Sequence, residues 1–153
     1  MLTINVKKNL CIRELATQDI QRRISNCFVA LDDRGAIAGY YTFAATSLPL
    51  TDLPADMAKR LPRYPIVPAG LIGRLAVARE FRGRRLGGAL IMDAAVRAAH
   101  SDPAVFAFVV DAKDEAAVAF YKRLGFQQLA SRPDSLFLPI ASALNALNAR
   151  HAP

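Results

Sequence analysis

The chain has no tryptophan, and only two cysteines and two histidines in 153 residues. So thin a supply of thiol and imidazole excludes a disulfide scaffold or a zinc ribbon, because neither cysteine begins a CxxC pair. Cys11 and Cys27 are therefore expected as buried, reduced thiols, and no metal site is expected. Long apolar runs are missing too: none nears the ~20 residues that cross a bilayer. The stretch Met1–Lys8 lacks the layout of a signal peptide, so a cytoplasmic setting without membrane contact is expected.

Acidic residues are scarce in one place. Between Lys59 and Gly88 stand eight cations, Lys59, Arg60, Arg63, Arg74, Arg79, Arg82, Arg84 and Arg85, against the single anion Glu80. That segment holds the whole net charge of +7, and elsewhere twelve cations balance twelve anions. A basic field so concentrated points to a polyanionic ligand. Apolar residues at 53% and charged ones at 22% describe a globular chain, and its length suits a single domain over residues 1–153.

Periodicity predicts an amphipathic helix over 12–24, then a hairpin over 27–47 turning at Asp32-Asp33-Arg34-Gly35. Five prolines punctuate 49–68, leaving room for a short helix near 52–61 within ordered loop. Strand 69–78 follows, then a helix from Leu86 to about His100. The apolar run 104–110 reads as a central strand covered on both faces. Asp114 and Gly125 bound a helix over 115–124, residues 126–138 return as strand, and a helix over 140–148 closes the chain. The pattern predicts an α/β fold with a central mixed sheet flanked by helices.

Residues 69–88 concentrate the functional signal. The strand Ala69-Gly70-Leu71-Ile72-Gly73-Arg74-Leu75-Ala76-Val77-Ala78 feeds the turn Arg82-Gly83-Arg84-Arg85-Leu86-Gly87-Gly88 at a helix start. Helix-end N–H groups have no partner in their own helix, and the macrodipole favours negative charge beside them. A basic, glycine-rich loop there suits a pyrophosphate.

Three elements in this order resemble the GNAT superfamily of acyl-CoA-dependent N-acetyltransferases. They are the strand 72–77, the turn 82–88 in the manner of [Q/R]-x-x-G-x-[G/A], and Phe120-Tyr121-Lys122-Arg123-Leu124-Gly125-Phe126 as Phe-Tyr-x-x-x-Gly-Phe. The resemblance covers about residues 27–138. It is closer still to the branch containing toxins that acetylate aminoacyl-tRNA, through Cys27–Leu31, Gly39-Tyr40-Tyr41-Thr42, Leu61-Pro62-Arg63-Tyr64-Pro65, Gly73–Val77 and Asp114-Glu115-Ala116. Two departures stand out. Arg85 occupies the loop position where glycine is usual, which strains the backbone if φ is positive there. Only 26 residues precede the Cys27 strand, so a reduced first strand and acceptor wall are expected.

The resemblance implies attack of an amine on the thioester of acetyl-CoA. Arg82, Gly83, Arg84, Arg85, Leu86, Gly87 and Gly88 would cradle the diphosphate, with N–H groups at Gly83, Arg85, Gly87 and Gly88. The backbone of Leu75, Ala76 and Val77 would line the pantetheine and supply an oxyanion donor. Periodicity alone makes Tyr121 a core aromatic; the motif makes it the acid that protonates the leaving thiolate. No carboxylate lies in 71–78 to act as base, which favours an acceptor amine of low pKa, such as the α-amine of an aminoacyl-tRNA. Lys59, Arg60, Arg63, Arg74 and Arg79 are then the candidates for RNA phosphate contacts. A ribbon–helix–helix antitoxin is the implied protein partner, and a homodimer is left open. Other readings remain: a small amine or protein N-terminus as acceptor, a non-catalytic nucleic-acid-binding module, or a coenzyme-binding regulator.

Overall fold

Asp32 closes the first hairpin through its own carboxylate, which accepts the N–H groups of Arg34 at 2.9 Å and Ala36 at 2.8 Å. A short side-chain acceptor at this position presets the turn and fixes the register of the strands on either side. The computed structural model in which this is seen describes residues 3–5, 18 and 20–151. Its elements are β1 (Thr3–Asn5), β2 (Asn26–Leu31), β3 (Ile37–Pro49), α1 (Ala55–Ala58), β4 (Ile66–Val77) and α2 (Leu86–Ala99). They continue with β5 (Ala107–Asp111), α3 (Glu115–Arg123), β6 (Gln127–Gln128), β7 (Ser135–Pro139) and α4 (Ile140–His151). The strands form one mixed seven-stranded sheet in the order β1-β2-β3-β4-β5-β7-β6. This is the expected α/β architecture. The chain divides into two compact units, residues 1–45 with 72–94, and residues 46–71 with 95–153.

In the first unit β1, β2 and the start of β3 pair antiparallel. Alternation splits their side chains between two faces. Cys27, Val29 and Leu31 pack with Ile20, Ile37 and Tyr40 on one of them. Phe28 stacks on Tyr41 at 5.0 Å, and the Tyr41 hydroxyl donates to Asp93 Oδ2 of α2 at 2.6 Å. Buried Leu86, Leu90, Ile91 and Ala94 give α2 one apolar stripe. Gly39 is required by close approach: a Cβ there would lie 2.8 Å from the Ala76 carbonyl oxygen and 3.2 Å from Leu90 Cδ1.

In the second unit β7 pairs antiparallel with β5 on one side and β6 on the other, and all five of its residues are buried. Leu48, Leu53, Val67, Ala69, Ala107, Val109, Leu129 and Phe137 form the core. Asp114 caps α3 by accepting the Ala117 N–H at 2.8 Å. Gly125, at φ 97°, ends it: its N–H donates to the Lys122 carbonyl, and that of Phe126 to the Tyr121 carbonyl. These two bonds make a Schellman stop, which glycine enters without a Cβ penalty.

Several predicted boundaries move. Most of the 12–24 helix lies outside the described residues, and the helical turn at 20–21 ends before Arg23, whose φ is 61°. Cys11 also lies outside them; Cys27 is buried and free, with its thiol pKa pushed up by desolvation. The strand expected from Ala69 begins at Ile66 and runs through Pro68, whose carbonyl accepts the Phe106 N–H at 2.9 Å. The helix over 52–61 shrinks to Ala55–Ala58 after a 3-10 turn at Leu50–Asp52. Among the described residues no helix is long and apolar enough to cross a membrane.

Candidate active site

The Arg82–Gly88 segment forms the junction of a 3-10 turn, Arg79–Phe81, with α2. The first bond closing onto the helix is donated by Ala89 to the Arg85 carbonyl at 3.2 Å. The hydrogen-bonded turn 82–85 leads into the helix, and the Arg82 N–H is taken by the Arg79 carbonyl at 3.3 Å. The head of a 14-residue helix can hold an anion, and the exposed Arg82, Arg84 and Arg85 surround this one with positive charge. Leu86 is only 4% exposed, so its side chain serves the core. Arg84 holds its guanidinium 5.5 Å over the Phe81 ring.

Arg85 has φ 59°, the left-handed region, so the strain that glycine would avoid is present. A non-glycine residue there costs roughly 1–2 kcal/mol. Strain of this kind is held in place by the turn and helix on either side of it.

Strand β4 presents its backbone in two directions. The Arg74 N–H donates to Thr42 Oγ1 at 3.0 Å, the Ala76 carbonyl lies beside Gly39, and the Ala78 N–H donates to the Ala38 carbonyl at 2.8 Å. Even-numbered residues therefore address β3, and by alternation Leu75 and Val77 turn their N–H and C=O groups away from it. This divides the expected trio: Leu75 and Val77 turn their main-chain groups away from β3, and Ala76 exposes its side chain. Gly39 and Thr42, which set this edge, were not singled out in the sequence as site residues. The signal for Gly39 was a glycine interrupting a β-branched and aromatic strand pattern.

Tyr121 lies on α3 with 8% exposure, its ring edge-on to Phe120 at 5.1 Å and Phe126 at 5.3 Å. Burial pushes its hydroxyl pKa above the ordinary value of 10.0. Among the described residues that hydroxyl has no hydrogen-bond partner, and no buried polar side-chain atom lacks one, so the oxygen reaches solvent. A buried ring with an open, protonated hydroxyl can donate a proton.

Lys59, Arg60 and Arg63 follow α1 in the second unit, and Arg74 and Arg79 flank the loop in the first; all five are exposed. Among the described residues none of the five is held in an ion pair. The structure brings Arg79, Arg82, Arg84 and Arg85 together on one short stretch of backbone. No group of three or more His, Cys, Asp or Glu side chains that could hold a metal occurs among the described residues.

Residues 23–128 match the family model of the GNAT acetyltransferase domain. A probable toxin TacT of Sinorhizobium fredii is 32% identical over 72% of this chain and 66% of its own length. A tRNA-acetylating toxin of Mycobacterium tuberculosis is 34% identical over 78% of this chain and 71% of its own. The matched stretch thus spans about two thirds of those relatives. In fold, the chain is similar to AtaT complexed with acetyl-methionyl-tRNAfMet, with a TM-score of 0.80, 24% identity, and coverage of 96% and 99% of the two chains.

Proposed function

The chain belongs to the GNAT acetyltransferase family, and from that membership we propose that it transfers acetyl from acetyl-CoA to the α-amine of aminoacyl-tRNA. The observation that carries the reading is the glycine-rich turn at the N-terminus of α2, where the first N–H groups of a 14-residue helix lie beside three exposed arginines. That donor set fits a diphosphate, which needs fixed N–H dipoles and counter-charge at short range. When bound, acetyl-CoA supplies an activated acyl group on a thiolate leaving group.

The residues divide the work. Arg82, Gly83, Arg84, Arg85, Leu86, Gly87 and Gly88 hold the diphosphate, and the β4 edge at Leu75 and Val77 holds the pantetheine as an added strand would be held. The Leu75 N–H meets the carbonyl oxygen as it gains charge, a role that is worth about 3–4 kcal/mol where it has been measured. As the amine nitrogen bonds to the carbonyl carbon and the C–S bond breaks, Tyr121 gives its proton to the departing sulfur. The acceptor enters as the neutral amine, a form that an α-amine with a pKa near 7.7–8.0 reaches close to neutral pH; the proton it sheds on forming the amide goes to solvent, and Tyr121 takes one back from solvent.

The RNA acceptor is supported by the 34% identical tRNA-acetylating relative and by the placement of all +7 net charges between Lys59 and Gly88. Lys59, Arg60, Arg63, Arg74 and Arg79 are assigned to phosphate contacts, which position the acceptor without reading its sequence. A cytoplasmic setting and a protein antitoxin of the ribbon–helix–helix class belong to the same proposal. Release of free coenzyme A thiol tests the reading. It should require charged tRNA, fail with deacylated tRNA, and fail with either in Tyr121→Phe. Release driven equally well by small amines and not by charged tRNA would replace the acceptor while keeping the enzyme class.

A further inference from the structure

Thr42 lies on β3 with only 8% exposure, and its hydroxyl oxygen accepts the Arg74 N–H at 3.0 Å. Glycine at 73 eases this approach, since a Cβ there would stand a tight 3.2 Å from that same oxygen. Valine would match the shape of threonine and suit a strand as well. The hydroxyl is therefore explained by the bond it accepts and not by packing. Threonine is also stiff at χ1, so the acceptor is held at a fixed place rather than on a flexible arm.

Because a peptide unit is planar, fixing the Arg74 N–H also fixes the Gly73 carbonyl, and the extended backbone of the strand at Arg74 sets the next unit in the opposite direction. The residue that follows is Leu75, whose N–H faces away from β3. Two residues on, the Ala76 carbonyl is seated against Gly39, where a Cβ would come within 2.8 Å. The backbone at 74–76 is thus set at two points by β3, one a side-chain acceptor and the other a space kept open.

We infer that Thr42 is a positioning residue for acetyl transfer: its hydroxyl orients β4 so that the Leu75 N–H is aimed before the substrate arrives. The inference rests on the reading of Leu75 as oxyanion donor given above. Donors that are already oriented need no reorganisation as charge develops, and small misplacements of such groups are expensive in rate.

Thr42→Val and Thr42→Ser, made in the full chain, separate the hydroxyl from the shape. Amide hydrogen exchange at Arg74 should quicken about tenfold in Thr42→Val and return to the parent rate in Thr42→Ser. In the same preparations kcat should fall about tenfold in Thr42→Val, with the acetyl-CoA KM within about twofold, and recover in Thr42→Ser. Unchanged exchange and kcat in Thr42→Val would overturn the inference and leave the reading of the site intact. So would a KM rising as steeply as kcat falls, since that marks a general loosening. A parent protein that binds acetyl-CoA yet transfers no acetyl would overturn the reading of the site, and the inference with it.

Discussion

Tyr121 and Arg85 carry the account at the level of single residues, and each can be altered with a defined result. Removing the Tyr121 hydroxyl breaks no hydrogen bond within the described residues and keeps the ring against Phe120 and Phe126. Tyr121→Phe should therefore fold and bind acetyl-CoA like the parent while kcat drops by roughly 10²–10⁴, the span typical of a lost general acid. Calorimetric binding beside a turnover assay checks both halves. Burial raises the Tyr121 pKa, so its proton stays on through neutrality and leaves only above the ordinary value of 10.0. The pH profile of kcat/KM should accordingly rise as the acceptor amine deprotonates and show no fall below about pH 10. A falling limb centred under pH 9 would contradict the assignment. Arg85→Gly should relieve ~1–2 kcal/mol of left-handed strain against a glycine entropy cost of ~0.5–1 kcal/mol. The net gain raises Tm by up to about 2–4 °C. Acetyl-CoA affinity should fall in the same variant as a counter-charge is removed, and a lower Tm would refute the strain. Both residues were singled out in the sequence, Tyr121 through its motif and Arg85 as an exception to one, and the left-handed φ of Arg85 is what that exception predicted.

Strands β3 and β4 show what can be read from an element and what cannot. The ends of α3 were legible because capping is local: Asp114 supplies its acceptor three residues ahead and Gly125 takes φ 97°. The start of β4 was not, because proline normally argues against a strand interior. Pro68 fits since its carbonyl is used by Phe106, a tertiary partner that local pattern does not reveal. The division of Leu75 and Val77 from Ala76 was hidden for a similar reason. It depends on which edge of β4 faces β3, and side-chain pattern reports faces rather than edges. Gly39 is the test at this scale. Gly39→Ala puts a Cβ 2.8 Å from the Ala76 oxygen, and overpacking of this kind costs typically ~1–3 kcal/mol. Denaturant melts should show that drop in stability. Stability within error of the parent would mean that β4 yields freely and is not held by β3.

For the whole molecule the governing fact is charge. All of the +7 lies in thirty consecutive residues, and its eight cations are exposed. The sequence reports that sum directly, but the two units divide it, with Lys59, Arg60 and Arg63 in one and the five other arginines in the other. If the first three meet RNA phosphates, their joint replacement by alanine should weaken tRNA binding. It should also reduce the salt slope by about one for each phosphate no longer neutralised. Acetyl-CoA binding should not change, because the proposed diphosphate cradle is built on residues 82–88. An unchanged salt slope would remove these three from the acceptor surface. The most direct test of the central claim is mass spectrometry of the aminoacyl-adenosine released by nuclease from tRNA treated with the protein and acetyl-CoA. Acetyl on the α-nitrogen, present with the parent and absent with Tyr121→Phe, is the predicted result. Unmodified aminoacyl-adenosine from a preparation that acetylates other amines would contradict it.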